Sequence, residues 1–251
     1  MTTRIMTYNV HSCVGVDGRL DVGRIAAVIA QAKPDIVALQ ELDVGRSRTG
    51  KVDQAHAIAS RLGMGFHFNC AMQVEEERYG DAILTALPVR LVRSGALPTL
   101  TRVRGLEPRG ALWVAVEVAP GLELQVINTH LGLVPLEQRG QVAALLGKDW
   151  LGAEACRDPK VLIGDFNATS RYAAYKVLQG RLTDGQKALQ RSGRLGRTCP
   201  TFPSRFPMLR IDHFFVGEGV EVLDVATPSG PLNRAASDHL PLVADLRISA
   251  R

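Results

Sequence analysis

The sequence predicts an α/β fold in which one domain spans residues 1–251. Strand-like apolar runs alternate with segments of helical periodicity along most of the chain, and no linker, internal repeat or low-complexity tract interrupts them. Hydrophobic residues make up 46% and charged residues 22% of the chain, as in ordinary globular proteins. A chain of 251 residues is long enough to bury a substantial core. We therefore expect a single folded domain.

Composition limits the cellular compartment and the kinds of binding partner that we expect for this chain. No apolar run approaches the ~18 residues that a membrane-spanning helix needs, and the N-terminal residues lack the pattern of a secretory signal, so we expect a cytoplasmic protein. The formal net charge of +5 favours anionic partners weakly, and nothing implies a stable protein partner. The cysteines are dispersed without a CxxC pair, which predicts free thiols at Cys13, Cys70, Cys156 and Cys199.

The first elements bring two polar side chains to one sheet edge. A strand-like run ends at Asn9. A helix capped by Asp21 follows and closes before Pro34. The next apolar run, residues 35–41, is typical of a strand covered on both faces, and it ends at Glu41. We therefore expect Asn9 and Glu41 to lie close together.

The middle of the chain predicts a helix and then short strands. Residues 54–62 have apolar side chains at helical spacing and stop at Gly63, a residue that commonly ends helices. Two alternating runs separated by Pro120 and Gly121 predict a hairpin whose second strand leads into His130. Strands are predicted at residues 65–70, 81–84, 90–94, 111–118 and 122–128.

The last hundred or so residues repeat the pattern of a buried strand that ends in polar residues. A helix is predicted over residues 136–151, and a strand starting at residue 160 leads to Asp165 and Asn167. The segment 185–211 is predicted to be irregular and has six basic residues and no acidic one. The remaining predicted elements are a short helix near residues 172–178 and strands at residues 211–216, 220–226 and 242–248.

A single Asp or Asn after a strand is more often a turn former than a ligand. Here, however, successive strand-like runs end in a whole series of such residues: Asn9, Glu41, His130, Asp165 with Asn167, and Asp238 with His239. A joint pattern of this kind indicates one site at a common edge.

Six ordered motifs carry a resemblance to a known family. They are Thr7-Tyr8-Asn9-Val10, Leu39-Gln40-Glu41, Asn128-Thr129-His130-Leu131, Gly164-Asp165-Phe166-Asn167, Arg210-Ile211-Asp212 and Ser237-Asp238-His239-Leu240-Pro241. In this order they resemble the endonuclease/exonuclease/phosphatase superfamily of deoxyribonuclease I-like, metal-dependent phosphoesterases. The resemblance implies a four-layer sandwich of two facing mixed β-sheets flanked by helices, with the site where strand ends meet.

The resemblance also implies a role for each side chain of the site. Glu41 would be the central ligand of a divalent metal, with Asn9 and Asp238 beside it, and such oxygen ligands suit Mg²⁺ or Mn²⁺. Asp165 would orient or deprotonate the attacking water, and Asn167 would donate to the phosphate. The predicted catalytic residues are His130, Asp165, Asn167, Asp212 and His239, with Asp212 holding the tautomer of His239 and both histidines contacting the phosphate.

The residue types favour the same chemistry without the family. Phosphoester hydrolysis depends on placing water and neutralising oxygen charge, for which the chain offers carboxylates, amides and imidazoles. The serines Ser12, Ser170 and Ser237 lack a nucleophile-elbow sequence, and no Gly-rich phosphate loop with a lysine is present. Metal-activated water is therefore favoured over a covalent intermediate.

The substrate is the aspect of the function that the sequence determines least. Basic and aromatic residues form a predicted rim, with Arg102 and Arg104 in the loop of residues 97–110 and the substrate-binding candidates Arg109, Arg205, Phe202 and Phe206. We favour a phosphodiester in a small molecule or a phospholipid head group. The alternative is a nuclease acting on DNA or RNA, which the 5% aromatic content and the absence of a long basic insertion disfavour. A non-catalytic binding protein with the same fold is the remaining alternative.

Several residues keep open roles. Asp81 could support His130 or start a strand, and His11 could reach the site or cap a turn. His213 is expected to pack structurally, because neutral histidines often have a satisfied buried place. Asp43 is expected to be solvated.

Overall fold

In this computed structural model, which describes residues 1–100 and 105–250, the alternating runs pair into sheets and the amphipathic segments form helices beside them. The predicted rim residues Arg102 and Arg104 lie outside the described residues. The strands are β1 (Thr2–Asn9), β2 (Ile36–Val44), β3 (Gly65–Val74), β4 (Glu77–Thr85), β5 (Val89–Ala96), β6 (Gly110–Ala119), β7 (Leu122–His130), β8 (Lys160–Asp165), β9 (Thr183–Asp184), β10 (Asp212–Val216), β11 (Val220–Ala226) and β12 (Leu242–Ile248). The helices are α1 (Val22–Ala32), α2 (Gln54–Leu62), α3 (Pro135–Leu145), α4 (Ala173–Gln179), α5 (Gly185–Arg191) and α6 (Pro231–Ala236). Within these described ranges, no helix has both the length and the apolar character to cross a membrane.

The strands form two mixed six-stranded sheets. The first has the order β11-β12-β1-β2-β4-β3 and the second has the order β5-β6-β7-β8-β10-β9. The pairs β1–β2 and β7–β8 are parallel, and the other pairs are antiparallel. The predicted fold class, two facing mixed sheets flanked by helices, is confirmed.

Three apolar cores separate the four layers. One lies between the two sheets and includes Leu112. A second lies between the first sheet and α1 with α2, and includes Ile25. The third lies between the second sheet and α3 with α4, and includes Val142. Because both sheets are covered on both faces, central strands such as β2 and β8 are buried over most of their length, as the sequence indicated.

An amide bridge crosses between the sheets just below the strand ends. Gln40 Nε2 in β2 donates to Asn128 Oδ1 in β7 at 2.7 Å, and also to Thr7 Oγ1 in β1 at 3.0 Å. Asn128 Nδ2 donates to the carbonyl oxygens of Leu39 and Ala82. Buried amides with partners on both sides fix the relative register of the sheets. Gln40 and Asn128 precede Glu41 and His130 closely in sequence, so this register positions the site.

Three predictions about the elements are wrong. The strand predicted over residues 35–41 continues to Val44, and Glu41 lies at a β-bulge instead of a strand end. The helix predicted over residues 136–151 ends at Leu145 because Gly147, a poor helix former, begins a series of tight turns. The segment predicted to be irregular begins with α5, whose first turn is capped by the Asp184 side chain. The predicted bounds of α2, β11 and β12 are confirmed.

Asp43, expected to be solvated, is buried. Its carboxylate accepts from Arg48 Nε at 2.7 Å and from Thr49 Oγ1 at 3.1 Å, and Arg46 approaches within 3.7 Å. The sequence around Asp43 does not show that the chain turns back at residues 46–49 and brings Arg46 and Arg48 close to the Asp43 carboxylate. The burial of this charge is offset by paired hydrogen bonds.

Candidate active site

A cavity of about 880 Å³ opens where strand ends of both sheets meet. Its wall includes six of the residues predicted for the site: Glu41, His130, Asp165, Asn167, Asp238 and His239. The other two, Asn9 and Asp212, are buried behind the wall and hydrogen-bonded to residues in it. All eight predicted catalytic and metal-ligating side chains therefore belong to one region.

A bulge in β2 directs Glu41 into this cavity. The pairing of β2 with β4 shifts register between Leu39 and Leu42, and Glu41 adopts a positive φ of 62°. A left-handed backbone is rare for such a residue and marks a functionally constrained position. The consequence is a carboxylate that faces the cavity instead of a sheet face.

Asn9 joins the two sheets at the bottom of the site. Its Nδ2 donates to Glu41 Oε1 at 3.0 Å and to Asp165 Oδ2 at 3.0 Å, while its Oδ1 accepts from the backbone N–H of His11 at 3.1 Å. Glu41 comes from the first sheet and Asp165 from the second. Two carboxylates from different sheets thus converge on one point.

These donor atoms fit a hard divalent cation. The oxygens of Glu41 and Asp165 lie within hydrogen-bond distance of a single amide nitrogen, and Asp238 faces the same cavity. Asp165, Asp212 and His239 also form a buried group whose ligand atoms lie within 4.8 Å of one another. In that group, however, the His239 and Asp212 atoms that approach each other already share a hydrogen bond, so the carboxylates nearer Asn9 have the freer oxygens.

His239 is held by a carboxylate. Its Nδ1 donates to Asp212 Oδ2 at 2.8 Å, and Thr201 Oγ1 donates to the same oxygen at 2.5 Å. Burial opposes the charged form of His239, but Asp212 and Asp165 outweigh burial and raise the pKa of His239 to about 10. The Phe202 ring packs on the imidazole with a centroid separation of 4.9 Å. His239 is therefore an oriented imidazolium whose Nε2 lies 3.6 Å from Asp165 Oδ2.

His130 is held by a guanidinium. Arg109 Nη1 lies 3.2 Å from His130 Nδ1, and because a guanidinium can only donate, the imidazole accepts at Nδ1 and has its proton on Nε2. Burial first, and then the positive charges of Arg109 and His239, lower the pKa of His130 well below its usual range. His130 is therefore neutral, and its Nε2 lies 3.5 Å from Asp165 Oδ2.

The Asn167 side chain is a second N–H donor, and it faces His130 Nε2. Asn167 Nδ2 donates to the carbonyl oxygen of Leu131 and lies 3.0 Å from His130 Nε2. Two N–H groups that face one another do not satisfy each other, so an oxygen acceptor within reach of both would relieve the conflict. Gln138 Nε2 donates to the Asn167 carbonyl at 3.0 Å and holds the loop, in which Asn167 has a positive φ of 47°.

Asp165 lies at the centre of these groups. Its Oδ1 accepts from the backbone N–H of Asn167 at 2.9 Å. Burial and the nearby Asp212 carboxylate raise the pKa of Asp165 to about 7, and His239 and Asn9 oppose the shift. A carboxyl group with a pKa near neutrality can take a proton from water at neutral pH.

A buried network supports Asp212 from behind. Arg210 pairs with Asp184 through two hydrogen bonds of 2.8 and 3.1 Å, and Tyr175 donates its hydroxyl to the same carboxylate at 2.6 Å. His213 contacts the Ala168 carbonyl at 2.7 Å and is buried away from the cavity. The first contacts anchor Arg210, two residues before Asp212, to Asp184 and Tyr175, and the last one ties His213, directly after Asp212, to the loop that follows Asn167. The expectation that His213 packs structurally is confirmed.

The residues with open roles, His11 and Asp81, do not line the cavity. The His11 side chain is exposed and bonds the Val14 carbonyl. Asp81 is buried in β4, and burial, opposed by Arg109, raises its pKa to about 8. The side chain that contacts His130 Nδ1 is Arg109, so Asp81 supports His130 at most through Arg109.

The substrate-side candidates divide into two pairs. Arg109 and Phe202 form part of the cavity wall. Arg205 donates to the Val16 carbonyl at 3.3 Å, and Phe206 is exposed in the same hairpin outside the wall. The cavity also has residues that the sequence did not single out: Glu107, Arg171, Tyr172 and Met208 in its wall, with Thr201 behind. No local sequence signal marks these residues, because their positions depend on how separate loops meet.

The wall combines carboxylates that could hold a cation, donors for phosphate oxygens and a central base. These groups together indicate the class of phosphoester hydrolases. This chain belongs to the endonuclease/exonuclease/phosphatase family, whose family model matches residues 6–239. The family consists of hydrolases that act on phosphoester bonds. The resemblance read from six motifs is confirmed.

Relatives span nearly the whole chain. An uncharacterized Escherichia coli K12 protein, YbhP, is 25% identical over 256 residues, which cover 98% of this chain and 96% of that protein. The crystal structure of an endonuclease/exonuclease/phosphatase from Beutenbergia cavernae matches with a TM-score of 0.74 and 24% identity, over 99% of this chain and 72% of that chain. A Bacteroides thetaiotaomicron mannosyl-6-phosphatase matches with a TM-score of 0.75 and 19% identity, over 97% of this chain and 99% of that chain. At these identities the structural likeness shows the shared fold.

Proposed function

We propose that residues 1–251 form one catalytic domain that hydrolyses a phosphodiester by divalent-metal-assisted attack of water. The observation that carries this proposal is the position of Asp165, whose Oδ2 lies 3.5 Å from His130 Nε2 and 3.6 Å from His239 Nε2. A base flanked by a neutral and a cationic imidazole is what water activation beside a phosphate group requires. The groups around it come from residues 9 to 239, so nearly the whole chain contributes to the site.

Glu41 would hold a Mg²⁺ or Mn²⁺ ion, together with Asn9 and Asp238. Oxygen ligands of this kind suit these hard cations. When bound, the ion would neutralise a phosphoryl oxygen and stabilise the leaving oxyanion. Asn9 would act as a ligand through Oδ1, which in the present arrangement accepts from His11.

Asp165 is the proposed general base. Burial keeps its pKa near neutrality, which matches proton transfer from water at physiological pH. The hydrogen bond from the backbone of Asn167 fixes one carboxylate oxygen, so the other faces the imidazoles. Asp165 accepts one proton from water, the oxygen of that water bonds to phosphorus, and one P–O bond to the leaving alcohol breaks.

His239, His130 and Asn167 form the proposed phosphate cradle. The His239 imidazolium offers positive charge to the phosphoryl oxygens, and the neutral His130 offers its Nε2 proton. The Asn167 amide is a third donor, facing the same space as His130 Nε2. Fixed donors that need not reorganise stabilise the charge that develops on the transferring group.

The first test is hydrolysis of bis(p-nitrophenyl) phosphate by the purified protein with Mg²⁺ or Mn²⁺. Activity should disappear in EDTA and return when the ion is restored. The Asp165→Asn protein is the matched blank, because it keeps the shape of the side chain and removes the base. Metal-independent turnover, or an Asp165→Asn protein as active as wild type, would contradict the proposal.

The substrate requires a panel under one metal and salt condition. Plasmid DNA, RNA, phospholipids, a soluble diester and a phosphomonoester would be compared, each against Asp165→Asn. A diester-specific rate that exceeds the nucleic-acid rates supports the proposed substrate class. A preference for nucleic acid with steep salt dependence would instead support the nuclease alternative.

A further inference from the structure

The mouth of the cavity has an unusual concentration of exposed apolar side chains. Leu133 is 68% exposed and Met208 is 76% exposed, and both also line the cavity wall with Tyr172 and Leu209. In the same two segments, Leu136 is 62% exposed and Phe206 is 75% exposed. We call this set the apolar collar; it comprises Leu133, Leu136, Tyr172, Phe206, Met208 and Leu209. Exposed apolar groups that cluster around a site mark an interaction surface.

The hairpin that carries part of the collar is held in place by backbone hydrogen bonds. Phe202 and Leu209 exchange backbone hydrogen bonds of 3.1 and 2.8 Å, which close the hairpin that presents Phe206 and Met208. Ser204 N donates to the Asp238 carbonyl at 2.6 Å and ties this hairpin to a segment of the catalytic site. A preformed apolar tip needs little reordering when it meets a partner.

Basic residues accompany the collar. Arg139, Arg171 and Arg205 are exposed on the segments that carry the apolar tips. Behind Met208 lies a second depression of about 450 Å³, lined by Arg197 and Arg210 among other residues. Arg197 is exposed there, and the segment from residue 185 to residue 211 has no acidic residue. The acidic Glu107 in the cavity wall is paired with Arg109 at 3.2 Å.

Apolar tips flanked by exposed arginines fit an anionic lipid surface. The apolar side chains enter the boundary between head groups and acyl chains, while the arginines stay at the level of the phosphates. Each arginine near such a surface strengthens binding by about fivefold. A protein partner would be expected to cover a continuous apolar patch, whereas here four of the six collar residues line an open cavity.

We propose that the apolar collar docks on an anionic phospholipid bilayer and that the active site hydrolyses the head-group phosphodiester of a lipid presented from that surface. The second part rests on the proposed function. Hydrolysis adds one water molecule across one P–O bond and leaves an alcohol and a phosphomonoester. Because four collar residues line the cavity, docking of the collar would place the lipid phosphate next to His130, Asp165 and His239.

Sedimentation with sucrose-loaded vesicles tests the docking surface. Wild-type protein should sediment with vesicles of equal parts phosphatidylglycerol and phosphatidylcholine, and not with phosphatidylcholine alone. Leu136→Asp should weaken binding about tenfold, since burying a leucine contributes at least that much to partitioning. The change should preserve folding, because residue 136 lies in the first turn of α3, where an acidic side chain is favourable.

Leu91→Asp is the matched control. Leu91 is 45% exposed on β5 and pairs with Val114, remote from the cavity mouth, so this variant should sediment like wild type. The rate on phosphatidylglycerol vesicles divided by the rate on bis(p-nitrophenyl) phosphate should fall in Leu136→Asp and stay at the wild-type value in Leu91→Asp.

Three results would overturn the docking proposal. The first is failure of wild type to bind the anionic vesicles, and the second is equal binding by wild type and Leu136→Asp. The third is that wild type binds a single-stranded oligonucleotide more tightly than it binds vesicles, and that Leu136→Asp weakens this oligonucleotide binding too. Failure to hydrolyse any diester would instead remove the proposed function, while sedimentation would still decide whether the collar binds lipid.

Discussion

His239 and His130 both face the Asp165 carboxylate, and they differ in the side chain that contacts the far nitrogen of each ring. Asp212 accepts a hydrogen bond from His239 Nδ1, whereas Arg109 donates one to His130 Nδ1. The first partner contributes to a raised pKa and the second to a lowered pKa. The same side chain thus becomes a cation in one place and a neutral donor in the other, and the partner decides which.

This difference bears on how a phosphoryl group would be held. Two cationic imidazoles within reach of Asp165 would draw its pKa down and weaken it as a base. Two neutral imidazoles would give less charge stabilisation to the phosphoryl oxygens. One of each keeps Asp165 basic and still provides a positive charge.

Removing the cationic side of the pair should have the largest effect. We expect His239→Ala to reduce kcat/KM on bis(p-nitrophenyl) phosphate by roughly 10³-fold, because both an imidazolium and its contact with Asp165 are lost. Initial rates at saturating Mg²⁺ measure this. Retained activity would falsify the role assigned to that imidazole.

Neutralising the partner of His239 should have a smaller effect. Asp212→Asn keeps the size of the side chain and removes the charge that favours the imidazolium, so kcat should fall by about a hundredfold. The readout that separates this from a packing defect is the ¹⁵N NMR signature of His239, which should change from doubly to singly protonated at pH 7. An unchanged signature would show that Asp212 does not set the charge.

Removing the partner of His130 should lower kcat by a still smaller factor. Arg109→Met keeps a long side chain but removes the donor, so the His130 tautomer is no longer specified; we expect kcat to fall by about tenfold, a typical contribution of an orienting partner. In wild type, ¹⁵N NMR should show the proton of His130 on Nε2, and in the variant a mixture of tautomers. A wild-type Nδ1–H signal would contradict the assignment.

The smallest effect is expected from Thr201→Val. The valine has the same shape, and it removes only the hydrogen bond to Asp212 Oδ2, a contribution that corresponds to about a fivefold change. The kcat of this variant should lie between those of wild type and Asp212→Asn. A loss as large as that of Asp212→Asn would mean that Thr201, and not the aspartate charge, holds His239.

The sequence predicts those elements whose ends carry their own signal. α2 has its cap at Asp53 and its stop at Gly63, so its predicted bounds match. The bounds of β11 and β12 also match, although a bulge interrupts β11 between Val222 and Asp224. α3 has no comparable stop signal after Leu145 other than a glycine, and its predicted length was wrong. The bulge at Glu41 left no mark in the sequence, since it depends on pairing with β4.

The residues of the site differ in the same respect, because some have a local sequence signal and others do not. Side chains at strand ends, such as Asn9, His130 and Asp165, could be assembled from the motif order alone. The partners that set their charges could not: Arg109 and His130 are 21 positions apart, and Thr201 and Asp212 are 11 apart across a hairpin. Such pairs follow from packing of separate segments, which periodicity does not encode.

The position of β12 has a consequence for synthesis on the ribosome. β12 lies between β11 and β1 and pairs Arg247 with Thr2, so one edge of β1 stays unpaired until β12 has been made. Contacts of such long sequence separation form late in folding. His239 precedes β12 by only a few residues, so the growing chain lacks this imidazole until residues 1–238 have been made. The groups of the site are therefore complete only after all the strands that precede β12 have been synthesised.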